Sequence, residues 1–480
     1  MKNLTMLVDF YEFTMANGFY VHGHKDTKAV FEMFYRKNPD HGGYVIAAGL
    51  EQLIDFVSDM HFTEEDIDYL RKKGIFDEGF LDYLKEFRFW GTIEAVPEGT
   101  IVYPGTPLVT VTGNVIECQL LETFLLLTIN HQSLIATKAN RICRAAGDGM
   151  VMEFGARRAQ GPDAAVLGAR AAYIGGCHAT ATVLADQMYG VNAIGTMAHS
   201  WIQFFSSEEE AFRAYAKTYP DDCTLLIDTY DIIKGAQCAV KVAKEVLEPK
   251  GKRLKGVRID SGDLAYFSKK LRALFDENGM EDCKIVVSNS IDEWLLNSMK
   301  TQGARIDSYG IGERLITAKS DPVFGGVYKL VAVEEEGKLT PRIKISENEE
   351  KITNPGKKVL WRLFNKTSGI GYADVLTLEE EHLDEGGSFY VIDPKKPWKH
   401  ILIDNSVAVR LQKTIFEDGK LVYEKPRLED IRKYVKDQIE NTVWEEELRL
   451  ENPHVHYVDL SEKIYQIKSH MLQEAGKKMN

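Results

Sequence analysis

Gly256-Val257-Arg258-Ile259-Asp260-Ser261-Gly262-Asp263-Leu264 is the stretch on which the fold turns. Gly256–Asp260 reads as a strand, Ser261-Gly262 breaks it, and Leu264–Asn278 repeats apolar residues at helical spacing. A strand that passes through a polar turn into a helix is half of a strand–helix–strand unit. Outward from this stretch the unit recurs. Further candidate strands are Met150–Phe154, Val191–Gly195, Thr224–Asp228, Lys284–Ser288 and Arg305–Tyr309. Helical patterns Ile232–Glu248 and Ile291–Thr301 lie between some of them. Units about 20–40 residues apart imply a parallel sheet, open or closed into a barrel. The expected fold class is α/β. An irregular, TIM-like α/β barrel over 116–331 is favoured, with an N-terminal α/β domain (1–115) and a C-terminal extension (332–480).

The residues that follow the strands carry the chemistry. Phe154 precedes Gly155-Ala156-Arg157-Arg158, and Gly195 precedes Thr196-Met197-Ala198-His199-Ser200. Asp228 precedes Thr229-Tyr230-Asp231, Ser288 precedes Asn289-Ser290, and Tyr309 precedes Gly310-Ile311-Gly312. Barrels and open α/β sheets alike place their sites at the carboxyl ends of strands. Asp260 and Asp263 flank a Ser-Gly turn before a helix, an arrangement suited to a ribose diol and to an anion; helix capping is the plainer use of Asp260 or Ser261. Arginine forks fit a carboxylate or phosphate, and Phe154 can stack on a flat ring; core packing with surface arginines is the alternative. Lys138 adds positive charge or simply occupies a helix face. A lone histidine is more often structural than catalytic, but His199 sits among small residues just after a strand. His22/His24 and His454/His456 have metal-like spacing without a nearby third ligand and read as surface, so no tight protein metal site is expected.

Composition sets limits. The chain has 480 residues, 44% hydrophobic and 27% charged, with a formal net charge of −13. That balance argues against a nucleic-acid or membrane-surface binder, both of which need a basic footprint. The six cysteines are scattered without a C-x-x-C pair, so reduced thiols and a cytoplasmic setting are expected.

Taken together, Tyr11–Met15, Phe31–Arg36, Glu153–Arg158, Gly195–Ser200, Arg258–Asp263, Tyr309–Gly312 and Phe324–Lys329 resemble, in order, the nicotinate phosphoribosyltransferase family. The resemblance implies that nicotinate and phosphoribosyl pyrophosphate give nicotinate mononucleotide and pyrophosphate, with coupled ATP hydrolysis and Mg²⁺. It makes His199 the residue phosphorylated by ATP, and Arg258 and Asp260 its companions in catalysis. Phe154, Arg157, Ser200 and Tyr11 would hold nicotinate, Tyr11 from the partner subunit of a homodimer. Lys138, Arg158, Asp228, Ser261, Gly262, Asp263, Ser288, Asn289, Gly310 and Gly312 would serve the phosphoribosyl pyrophosphate side. Glu313 would repel a phosphate there unless it turns away or meets a cation.

Two other readings compete. A nicotinamide phosphoribosyltransferase would carry an Asp where this chain aligns Ala181. A barrel aldolase or isomerase, a different class, would show a Schiff-base Lys or a metal-ligand cluster at a strand end.

Overall fold

The computed structural model describes residues 3–348, 351–383, 389–396, 398, 400–403 and 405–479. The chain divides into two compact units, Met1–Leu134 with Val323–Asn480, and Ile135–Pro322. The first and last zones of the sequence therefore contribute to one unit.

Within Ile135–Pro322 the strands form a six-stranded parallel sheet. Its order is Ala179–Thr180, Met150–Glu153, Ser308–Ile311, Lys284–Asn289, Gly256–Ile259, Thr224–Leu226. Val151, Val257, Ile259, Ile285, Val287 and Ile311 are all fully buried. Such burial suits parallel strands, whose two faces are both covered, and each of these side chains contributes about 1.5–3 kcal/mol.

The expected closed barrel is not formed. Among the described residues the sheet is open, ending at the short strands Ala179–Thr180 and Thr224–Leu226. Ladders of two or three residues give the sheet little edge to continue from. Val191–Gly195, expected as a strand, makes only one bridge, Ala193 to Thr180. Asn192, Ala193 and Gly195 are poor strand formers, which accounts for the lost pairing. Ala179–Thr180 was hidden by its shortness.

Helices follow the strands as expected, with local chemistry fixing their starts. Asp263 caps Leu264–Glu277 by accepting from the Tyr266 amide at 3.0 Å, so neither Asp260 nor Ser261 is the cap. Asp231 and Asp292 cap Ile232–Val242 and Glu293–Thr301 in the same way.

The other unit contains a seven-stranded sheet with antiparallel neighbours and a second, six-stranded sheet of mixed sense. Its interior holds charge as well as apolar groups. Lys358 meets Glu32 at 2.8 Å and Arg362 grips Asp374 at 2.8 Å, all four buried. His456, read as surface from sequence, is 6% exposed. Its ring stacks on Tyr103 with centroids 3.6 Å apart, and Nδ1 lies 2.8 Å from Glu447. Distant partners make that burial affordable, and none of them is adjacent in sequence. No helix among the described residues is long and apolar enough to cross a membrane.

Candidate active site

The parallel register brings the polar strand ends together. Arg258, third residue of its strand, donates from Nε to Ser288 Oγ at 3.0 Å. Its Nη1 donates to Thr196 Oγ1 at 3.1 Å and to the Met197 carbonyl at 3.2 Å. Ser288 Oγ in turn donates to Asp260 Oδ1 at 2.6 Å. One hydroxyl thus accepts from a guanidinium and donates to a carboxylate, using its dual capacity. Asp228, 9% exposed, accepts at Oδ2 from the Asp260 amide (2.7 Å) and from Ser261 Oγ (2.8 Å). Its Oδ1 is buried without a hydrogen-bond partner among the described residues.

His199 joins this cluster. It opens the short helix His199–Phe204, and its Nδ1 shares a hydrogen bond of 3.1 Å with Thr229 Oγ1, next in sequence to Asp228. The ring is half-buried and Ser200 is exposed. Glu208 approaches from the following helix. Its carboxyl is pushed up to about 7, first by burial and then by Asp231 and Asp228, and its Oε1 also lacks a partner.

Phe154 sits across Gly310. A Cβ on Gly310 would fall 2.6 Å from Phe154 Cδ2 and 3.4 Å from Ser288 Cβ. The glycine is therefore a seat for the ring. Gly155 approaches the Gly312 carbonyl and Ile316 as closely, at 2.8 and 2.5 Å from a notional Cβ. Arg157 and Arg158 follow on the turn Ala156–Arg158, both exposed. Gly262 and Asp263 line a cavity of about 250 Å³ with Asn289 and Ser290. Gly262 (φ +82) and Asn289 (φ +128) both hold positive φ there; for Asn289 this is a strained conformation of the kind that clusters at functional sites.

Lys138 and Glu313 are each engaged by an opposite charge, and Tyr11, expected from a partner subunit, lies in the other unit. Lys138 is 2% exposed, with its ammonium on Glu293 at 2.9 Å and Ser320 at 2.7 Å, so its charge is spent inside the fold. Arg141 shares the same Glu293. Tyr11 belongs to the other unit, where it is 44% exposed on Phe10–Val21. Glu313 turns to Lys319 at 2.5 Å, which holds its carboxyl below the usual range. Sequence reasoning did not single out Thr196, Thr229 or Thr180; their neighbours Met197, Asp228 and Ala181 were the available signal.

Arginines, carboxylates and an aromatic ring thus gather at strand carboxyl ends, the layout of an α/β enzyme. The description "nicotinate phosphoribosyltransferase" covers three matching family profiles: an N-terminal domain over residues 6–130, the family core over 150–367 and a C-terminal domain over 357–468. The nicotinate phosphoribosyltransferase of Bacillus subtilis is 40% identical, covering 98% of this chain and 97% of its own. That of Caenorhabditis elegans is 35% identical, covering 96% and 92%. The crystal structure of human nicotinic acid phosphoribosyltransferase superposes with a TM-score of 0.84 at 29% identity, covering 97% of this chain and 100% of that one. The chain belongs to the nicotinate phosphoribosyltransferase family.

Proposed function

We propose that the chain joins nicotinate to phosphoribosyl pyrophosphate, giving nicotinate mononucleotide and pyrophosphate, with ATP hydrolysis coupled through a phosphohistidine at His199. The observation that carries this reading is the Phe154 ring seated on Gly310, next to the strand that supplies Ser288 to Arg258 and Asp260. A flat pyridine stacks on Phe154, and its carboxylate pairs with Arg157 and is met by Ser200. Arg258 lies near the base and Asp260 takes the ribose hydroxyls. Ser261, Gly262, Asp263, Ser288 and Asn289 serve the phosphates at and beside the cavity that Gly262, Asp263 and Asn289 line, with Arg158 and the backbone of Gly310 and Gly312 contributing from the neighbouring strand ends.

Displacement at the anomeric carbon passes through a cationic state, so holding both reactants aligned is the main contribution of this chain. If Nδ1 of His199 donates its proton to Thr229, Nε2 keeps the lone pair and attacks the terminal phosphorus of ATP, breaking its bond to the bridging oxygen and releasing ADP. Asp228 Oδ1 and Glu208 Oε1, buried and unpartnered among the described residues, would offer two hard oxygen ligands to a Mg²⁺ carried in by the phosphates. Mg²⁺ bound there would supply neutralisation of phosphate charge. Exposed Leu7, Phe10, Tyr11 and Met15 support a homodimer in which Tyr11 serves the partner's site. The free cysteines fit a cytoplasmic setting.

Ala181 favours the acid over the amide, since an Asp there would repel nicotinate. Incubation with phosphoribosyl pyrophosphate, ATP, Mg²⁺ and labelled nicotinate or nicotinamide tests this. Nicotinate should react far better; equal use of nicotinamide would refute the substrate reading. His199→Ala should lose ATP coupling and retain some phosphoribosyl transfer, whereas intact coupling would remove the phosphohistidine.

A further inference from the structure

Glu153 is fully buried, and among the described residues no cation is paired with it. Burial pushes its carboxyl above the usual range, against two hydrogen bonds that favour the charge. Those bonds have a revealing placement. One oxygen accepts from the Gly155 amide, at the start of the turn that carries Arg157. The other accepts from Thr180 Oγ1 at 2.7 Å, one residue before Ala181. The Thr180 hydroxyl also accepts from the Thr182 amide at 3.0 Å, so its own proton is directed at Glu153. The Glu153 carbonyl accepts from the Ala181 amide at 2.9 Å. One residue therefore ties the segment bearing Phe154 and Arg157 to the segment bearing Ala181.

Both groups facing the side chain are donors. A carboxylate, with acceptors on both oxygens, satisfies both; an amide must turn its NH₂ toward one of them. A buried charge without a cation is costly unless such bonds repay it. An apolar residue would fill this position at lower cost if packing were its sole role.

We propose that Glu153 is a positioning residue for the base subsite: its carboxylate sets the separation between the Phe154–Arg157 wall and the Ala181 wall, and so the fit of nicotinate. This rests on the base-binding reading of Phe154 and Arg157. Glu153 touches no substrate in this scheme; it acts through Gly155 and Thr180.

The test is steady-state kinetics on the full-length enzyme with nicotinate and phosphoribosyl pyrophosphate varied separately. Glu153→Gln should raise the nicotinate KM roughly tenfold, the scale of one mismatched buried hydrogen bond, with the phosphoribosyl pyrophosphate KM held within about twofold. Should Glu153→Gln fail to fold, Thr180→Val, which removes the donor and keeps the carboxylate, should give the same selective rise, and Thr180→Ser, which keeps the hydroxyl, should not. Both KM values rising together, a lower kcat with KM unchanged, or no change in KM would overturn the proposal. Arg157→Ala separates the two readings. If it raises the nicotinate KM and Glu153→Gln does not, positioning by Glu153 falls alone; if Arg157→Ala leaves that KM unchanged, the base-subsite reading falls with it.

Discussion

Replacing Gly310 by Ala puts a methyl carbon 2.6 Å from Phe154 Cδ2 and 2.8 Å from Cε2. Ordinary contact begins at 3.4 Å, so the ring or the strand must give by about 0.8 Å (3.4 − 2.6). The strand is poorly placed to do so, since it pairs in parallel with Lys284–Asn289 on one side and Met150–Glu153 on the other. The ring is tethered as well. Its own amide donates to the Ile311 carbonyl at 2.8 Å, and Gly155 is wedged against Ile316. Overpacking of this kind costs about 1–3 kcal/mol. Carried entirely by the nicotinate complex, that is a KM increase between about fivefold and about 150-fold. Carried by the fold, it lowers the unfolding midpoint by about 2–4 °C per kcal/mol for a unit of this size. Initial rates at saturating phosphoribosyl pyrophosphate and ATP, with a thermal melt of the same preparation, apportion the two. A Gly310→Ala enzyme with wild-type nicotinate KM and wild-type melting would show that the ring does not rest on that glycine.

Lys138→Met should lower thermal stability while leaving the phosphoribosyl pyrophosphate KM unchanged, because the ammonium is committed to Glu293 and Ser320; a selective rise in that KM would return Lys138 to the phosphate site. His456 gives a pH signature. Burial alone would lower its pKa, but Asp374 and Glu447 outweigh it and hold it above its ordinary 6.5; Arg362, Tyr103 and Asp459 are the other ionisable groups around it. A raised folded-state value means the stabilisation is complete below 6.5 and is lost as pH climbs through that raised value. The melting temperature of the wild type should therefore fall as pH rises above 6.5, and His456→Asn should flatten that slope; equal slopes would refute it. Arg258→Lys should weaken the link between ATP hydrolysis and product formation with His199 intact, since one ammonium cannot reproduce a fork that reaches Ser288, Thr196 and Met197. The ratio of ATP hydrolysed to mononucleotide formed should rise, and an unchanged ratio would count against it.

Much of the strand-end cluster was legible because its members stand beside one another in sequence or at repeated positions. Arg258, Asp260, Ser261 and Ser288 could be read from two consecutive strand–turn–helix units, and the register does the rest. What escaped depends on contacts distant in sequence. Glu153 meets Thr180 across 27 residues, and Lys138 meets Glu293 across 155. A helix-borne lysine looks the same in sequence whether its face meets water or a buried glutamate. Barrel closure was out of reach for a related reason. It depends on whether the two short edge strands pair, and no local pattern in Ala179–Thr180 or Thr224–Leu226 states that. His456 was misread because its partners, Glu447, Asp374 and Tyr103, come from three separate segments.

The polar contacts around Arg258 close on themselves, which says more than any one of them. Arg258 holds Thr196 and Met197, the residues that lead into His199. It also holds Ser288, which holds Asp260, whose amide is held by Asp228. Asp228 adjoins Thr229, and Thr229 returns to His199. The histidine is thus connected to Asp260 by two routes, one through a guanidinium and one through a carboxylate. Hydrogen bonds joined in a chain polarise one another, so a change of charge at one end is felt further along than it would be through isolated pairs. A new negative charge on His199 would be attracted along the first route and repelled along the second, so it favours the Arg258 side of the ring over the Asp228 side. That asymmetry is the property a histidine needs if its phosphorylation is to alter how tightly the neighbouring strand ends hold a phosphorylated sugar.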